Sequence, residues 1–369
     1  MYGAQLIQAL RRRDSSFEFF GVGGERMRAA GCETVVDAKD LSVVGITEIL
    51  SHLPKIWGLF NQLVAEADAR KPELAIVIDS PAFNWRVARE MHKRGVPTVY
   101  YVAPQFWAWR QGRVRLLRKY VTKTLVIFPF EEKFYRERGV DTAFVGHPLA
   151  DLARPEASRE AYAAQQALDP GRPWITLMPG SRVKEVKMNL PPILESLPLL
   201  GSEYEFLLPV APTLDEGWLQ SLIGARPIHL VPEALPALAH SRAGIIASGT
   251  ATVEAALMDL PFVMVYRVSP LSYFLGRSRI KVPYFAMVNL IAGEEIVPEL
   301  VQDKFTAENV FIELDKILGE GGARECMLRG LAGVRIRLRG NIQGNLPSVD
   351  RAAEAILELM QRERVDTGH

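Results

Sequence analysis

Ten short apolar runs recur along this chain, and most stop within two residues of a glycine, proline, serine or aspartate. Five lie early, at 17–22, 74–78, 98–102, 123–127 and 143–145, and five later, at 174–178, 205–209, 229–231, 243–247 and 262–266. Runs of this kind mark strands buried on both faces of parallel sheets. The stretches between them, such as 87–93 and 112–119, carry helical amphipathic spacing. The result is βαβ alternation, which a doubly wound sheet produces. A polar stretch, 151–172, interrupts the series once, and 369 residues suffice for two cores. The expected fold class is therefore α/β, with two facing Rossmann-like parallel-sheet domains, 1–150 and 151–340. Residues 341–369 are predicted to form a helix that returns to the first domain or to a partner.

Charge and cysteine content exclude several classes. Lys and Arg number 44 against 43 Asp and Glu, so no global footprint for nucleic acid exists. Cys32 and Cys326 lie far apart without metal-ligand spacing, which predicts a reducing compartment and no metal site. No uncharged apolar run approaches the roughly 18 residues of a spanning helix, and no basic n-region leads into an apolar segment at the start. The expectation is a cytoplasmic protein. Gly21-Val22-Gly23-Gly24 lacks full dinucleotide-loop spacing, and no Walker loop, H-E-x-x-H pair or nucleophile elbow is present.

Ligands of open parallel sheets sit beyond the carboxyl ends of the strands, so the residues after each run are the candidate site positions. Pro179-Gly180-Ser181-Arg182 follows one run and precedes a helix from about Lys184. Glycine admits a phosphate, the helix start presents free amides, and Arg182 adds a guanidinium fork. A plain strand-to-helix turn reads equally well. Ser248-Gly249-Thr250 follows another run, with Glu254 one turn later, which suits a phosphate cradle with a carboxylate near ribose hydroxyls. A simple N-cap is the alternative. Asn289, in a stretch read as a loop and helix start extending through 298–302, is a candidate ligand for sugar or phosphate.

Asp79 ends the run 74–78 and is the candidate general base. A carboxylate with an ordinary pKa of about 3.9 is a weak base at neutral pH, so the reading requires partial burial or a charge partner. Trp107, Trp109 and Arg110 belong to a loop dense in aromatics, suited to acyl chains or sugars, or else to a small core beneath the loop. His147 either orients a partner or packs at a domain junction. Ile49, Leu50, Leu53, Ile56, Trp57 and Phe60 recur at helical spacing, and part of that stripe, chiefly Ile49, Leu53, Ile56 and Trp57, is predicted to touch the membrane surface.

In this order Ile78-Asp79-Ser80-Pro81, Tyr101-Val102-Ala103-Pro104 with Trp107-Ala108-Trp109, Phe144-Val145-Gly146-His147-Pro148, Pro179-Gly180-Ser181-Arg182, Ala247-Ser248-Gly249-Thr250 and Asn289-Leu290-Ile291-Ala292-Gly293 resemble lipid-A-disaccharide synthases, from about Gly3 to Met360. The resemblance implies a B-type glycosyltransferase that moves 2,3-diacylglucosamine from UDP to the 6-hydroxyl of 2,3-diacylglucosamine 1-phosphate. The products are a β-1,6 disaccharide and UDP. It implies Asp79 as base, and Gly180, Ser181, Arg182, Ser248, Gly249, Thr250, Glu254 and Asn289 on the UDP-sugar side. Trp107, Trp109 and Arg110 fall on the acceptor side. No metal or other cofactor is implied, the place of work is the cytoplasmic face of the inner membrane, and a homodimer is compatible with it. A nucleotide-binding relative without turnover, or a UDP-N-acetylglucosamine 2-epimerase, are the competing readings.

One departure stands out. The family pattern opens with a buried strand and a G-E-x-S-G-D loop just before the residues matching Tyr2-Gly3-Ala4, and these residues start after both. The expectation is a gap in the first sheet, at about 1–3 kcal/mol for each edge group left buried and unpaired. A chain of this extent is expected to be poorly soluble and inactive until about 15–20 upstream residues are added.

Overall fold

In the computed structural model, which describes residues 2–42, 49–151, 153–269, 273, 282–340 and 346–367, the chain forms two compact units. One comprises Met1–Asp151 with Arg339–His369, the other Leu152–Leu338.

In the first unit β1 (Phe19–Gly23) pairs in parallel with β2 (Cys32–Asp37). A separate parallel sheet runs β3 (Ala75–Ile78), β4 (Thr98–Tyr101), β5 (Lys123–Val126) and β6 (Thr142–Phe144), in that order. β2 is absent from the sequence reading. Only Cys32 and Val36 in it are fully buried, so it lacks the continuous apolar run that marks the other strands. β1 and β3 are not hydrogen-bonded to each other. Between them lies a cavity of about 1000 Å³, lined by Phe19 and Phe20 on one side, Ile76 and Ile78 on the other, and Leu6 and Met360 from flanking helices.

The helix Tyr2–Arg13 buries Ala4, Leu6, Ile7, Ala9 and Leu10 along one stripe. Its last turn is all arginine, favourable at the negative end of a helix. Arg12 and Arg13 also reach Asp350 at 2.9 and 2.7 Å, which ties on the C-terminal helix Ser348–Thr367. Asp151 Oδ2 accepts from the amide and hydroxyl of Ser348, at 2.7 and 2.6 Å, where that helix begins.

The second unit holds six parallel strands, β7 (Trp174–Met178), β8 (Glu205–Pro209), β9 (Ile228–Val231), β10 (Ala243–Ala247), β11 (Phe262–Tyr266) and β12 (Glu299–Val301). Their order is β12-β11-β10-β7-β8-β9. The chain walks outward from β7 through β9, then crosses to the other side for β10 to β12, so strand order reverses between β7 and β10. Trp174, Ile175, Leu177, Ile245, Ile246 and Val263 are wholly shielded from solvent. Each such side chain stabilises the fold by about 1.5–3 kcal/mol. β12 corrects the sequence reading of 298–302 as a helix start. Three residues on a sheet edge are too few to show a period, and β12 is held by Met264, Val265 and Tyr266 of β11.

Candidate active site

The reversal between β7 and β10 brings two of the expected loops together. Met178 stands opposite Ile246 in register, and neighbouring strands lie about 4.8 Å apart, so Pro179-Gly180 and Ala247-Ser248 leave the sheet side by side. A crevice at such a reversal is where open α/β sheets bind ligands. Gly180 has φ +128°, and a Cβ there would stand 2.5 Å from that of Glu185, so the turn closes only around glycine.

The anion already held at this turn is the protein's own. Glu185 Oε2 accepts from the amides of Ser181 and Arg182 at 3.0 and 3.2 Å, and Oε1 accepts from Arg182 Nη1 at 2.7 Å. These are the donors assigned from sequence to a phosphate. The missed signal is the capping spacing Arg182-x-x-Glu185, a carboxylate at the third position of the helix Val183–Leu200. Asn189, also missed, is buried on the same helix. Its Nδ2 donates to Pro179 O at 2.8 Å and its Oδ1 accepts from the Arg267 amide at 2.9 Å, stapling the end of β7 to the end of β11.

On the β10 side, Gly249 has φ +146°, and neither its amide nor that of Thr250 finds an acceptor among the described residues. Ser248 Oγ donates to Phe285 O at 2.8 Å, which leaves its lone pairs but no donor. Burial pushes the Glu254 carboxyl above its usual range, and no hydrogen bond reaches it among the described residues. Such a group is poised for a ligand donor.

Asn289 corrects the sequence reading. It is fully buried; Nδ2 donates to Val297 O and Glu299 Oε1, both at 2.9 Å, while Oδ1 accepts from the amides of Ile296 and Val297 at 2.9 and 3.0 Å. Two donors and two lone pairs are all an amide has, so nothing remains for a sugar or phosphate.

In the first unit Asp79 closes β3, with Ile78 opposite Tyr101. Its carboxylate is exposed and meets no partner among the described residues, so the expected partial burial is not there. β3 is an edge strand of its sheet. The backbone is what is constrained. Asp79 and Ser80 have φ of +47° and +43°, and the neighbouring strand and loop add Val102 at +57° and Arg110 at +58°. Each such residue costs about 1–2 kcal/mol, and clusters of them mark functional sites. The offset comes from Asn84, whose Nδ2 donates to Ile78 O at 2.8 Å and Asp79 O at 2.7 Å, and from Tyr100 Oη, which donates to Asp79 O at 2.7 Å.

Asn84→Ala is therefore expected to lower thermal stability by about 1–2 kcal/mol and turnover about tenfold through loss of Asp79 placement. Ser80→Gly in that background should recover part of both, because glycine takes positive φ without a Cβ clash. No recovery in either melting temperature or rate means that the strain is not what Asn84 holds.

The aromatic loop divides in two. Trp107 is buried, its Nε1 donating to Glu131 Oε1 at 2.8 Å and its ring edge-on to Phe130 at 4.9 Å. It belongs to a core beneath the loop and offers no face to a ligand, a second correction. Glu131 Oε2 accepts from the amides of Ile127 and Phe128, at 3.2 and 3.0 Å. Burial pushes the Glu131 carboxyl up to about 7, against the opposing pull of those donors. Tyr135 Oη donates to Pro104 O and pins the loop's start. Trp109, by contrast, is 44% exposed, and the Arg110 guanidinium lies 4.1 Å from its ring centroid.

His147 resolves to the plain reading. Burial holds its imidazole down at about 4, Nδ1 accepts from the Leu149 amide at 3.1 Å, and its ring lies 5.0 Å from Phe128. The apolar stripe on the helix Ile49–Arg70 also splits. Phe60 is buried, edge-on to Phe83, while Trp57 stacks on it and is 57% exposed. Ile56 is half-buried, and the side chains of Ile49, Leu50 and Leu53 lie outside the described residues.

Two units of parallel sheet and helix, with paired glycine turns at the reversal in the second, define the architecture of the B-type glycosyltransferases. Solved structures agree on the fold. A glycotransferase of kitacinnamycin superposes with TM-score 0.63 at 14% identity, over 97% of this chain and 96% of that one. The UDP-GlcNAc 2-epimerase of Neisseria meningitidis gives 0.59 at 13%, over 97% and 93%. A sequence model described as lipid-A-disaccharide synthetase matches residues 1–326. The chain is 50% identical to the lipid-A-disaccharide synthase of Koribacter versatilis, over 98% of its own length and 96% of the relative's. For that of Acidobacterium capsulatum the identity is 46%, over 97% and 93%. The chain belongs to the lipid-A-disaccharide synthase family.

Proposed function

We propose that this enzyme moves 2,3-diacylglucosamine from UDP-2,3-diacylglucosamine to the 6-hydroxyl of 2,3-diacylglucosamine 1-phosphate. The bond from the anomeric carbon to the UDP oxygen breaks, the bond to the acceptor oxygen forms, and UDP leaves. Asp79 takes the proton of the attacking hydroxyl. Gly180, Ser181 and Arg182 with the Ser248-Gly249-Thr250 turn hold the diphosphate, and Glu254 accepts from ribose hydroxyls. Fixed amides and a guanidinium stabilise the charge that develops on UDP. Trp109 and Arg110 face the acceptor.

The observation that carries this reading is the juxtaposition of the two glycine turns at the β7–β10 reversal, in a chain of this family. No described helix is long and apolar enough to cross a membrane. The exposed Trp57 and Trp109 support peripheral attachment at the cytoplasmic face of the inner membrane, where both acylated substrates reside.

The test is turnover with the purified chain and both acylated substrates, followed by disaccharide and UDP formation together. UDP release without disaccharide, or interconversion of UDP-N-acetylglucosamine in place of transfer, sinks the proposal.

A further inference from the structure

Glu131 is buried to 1% exposure, and no cation pairs with it among the described residues. It stands in the first turn of the helix Pro129–Arg136. A carboxylate at that position caps its own helix, and Oε2 does so through the amides of Ile127 and Phe128. A cap needs no burial, and burial is unfavourable to a carboxylate. What burial secures here is the bond from Oε1 back across 24 positions to the Trp107 indole. Trp107 is held a second time, because its carbonyl accepts from Gln111 Nε2 at 3.0 Å. Between these two anchors lie only Ala108, Trp109 and Arg110. Trp109 is exposed beneath the Arg110 guanidinium, Arg110 sits at φ +58°, and neither side chain makes a hydrogen bond or ion pair among the described residues. Their place is set from behind. The same short helix supplies the rest of the support, with Phe130 edge-on to Trp107 and Tyr135 Oη donating to Pro104 O.

We propose that Glu131 is a positioning residue for the acceptor, which through the Trp107 indole sets the place of Trp109 and Arg110. The inference rests on the acceptor-side reading of that pair given above. Burial pushes the Glu131 carboxyl up to about 7, and either protonation state suits its three donors. The carboxylate accepts at every lone pair, while the neutral acid takes both amides on its carbonyl oxygen and the indole on its hydroxyl oxygen. Glutamine does not suit them. Its oxygen keeps the two amides of the cap, but its NH2 group then faces the indole N–H, donor against donor.

Glu131→Gln therefore keeps the helix cap and breaks the link to the loop. Acceptor KM should rise about tenfold, with donor KM and UDP affinity unchanged. Tryptic cleavage after Arg110, followed without substrate, should quicken by about the same factor. Trp107→Phe keeps the ring against Phe130 and lacks the N–H, so it should behave alike and carries the test alone if the glutamine variant does not fold. The double variant should be no worse than either single, since both break one bond. Equal rises in acceptor and donor KM, or additive effects in the double variant, overturn the proposal. Unchanged cleavage in both singles means that Glu131 does not hold the loop, which sinks this inference and leaves the acceptor-side reading standing. Faster cleavage with an unchanged acceptor KM means that the loop is freed but does not meet the acceptor, which sinks that reading and the inference with it.

Discussion

Asp79→Ala is expected to lower turnover at least about a hundredfold while leaving UDP binding near its original strength. The reason is place and freedom together. Asp79 terminates β3 where ligands of parallel sheets gather, and its carboxylate is exposed and unpaired among the described residues. A structural carboxylate in that position would cap the next helix, but the N-cap there is Ser80, and no side-chain hydrogen bond closes the turn. The backbone beneath is fixed by Asn84 and Tyr100, so a small replacement removes the carboxylate and little else. A steady-state assay alongside UDP titration separates the two quantities. Near-parental turnover in the alanine variant would falsify the assignment of Asp79 as base, and a matching loss of UDP affinity would move it to the donor side.

Arg182→Ala is expected to cost roughly a hundredfold or more in the chemical step and to weaken donor binding as well. The guanidinium is 79% exposed and pairs with Glu185 at three-residue spacing on one helix turn. An exposed pair of this kind is worth only about 0.3–0.5 kcal/mol, so a diphosphate can take the guanidinium from Glu185 at small cost. The Glu185 carboxylate also occupies the amides of Ser181 and Arg182, and the incoming anion competes with it for those donors. Lysine should rescue in part, since it restores charge without the fork. Full activity in Arg182→Lys shows that a point charge is enough, and unchanged kinetics in Arg182→Ala remove the residue from the site.

Most strands were legible because they are apolar runs buried on both faces. β7, β8, β10 and β11 coincide with their sequence bounds, and the rest of those read shift by one or two residues. β2 and β12 were not legible, one half wet and the other three residues long. The strand-end positions of Asp79, Gly180 and Gly249 were likewise readable, since a residue after an apolar run is fixed by chain order alone. What chain order leaves open is the partner of each polar group. Trp107 and Asn289 read as ligand-facing, yet their hydrogen bonds are spent on Glu131 and Glu299. Asn189 meets Arg267 across 78 positions of sequence, a pairing no local spacing announces.

The sequence by itself therefore determined the fold class and the family, because periodicity and loop composition are local properties. Only the tertiary structure decided which side chains remain free to act. Glu131 and Glu299 claim side chains that sequence had given to ligands, and a buried donor takes whichever acceptor folding brings within about 3 Å.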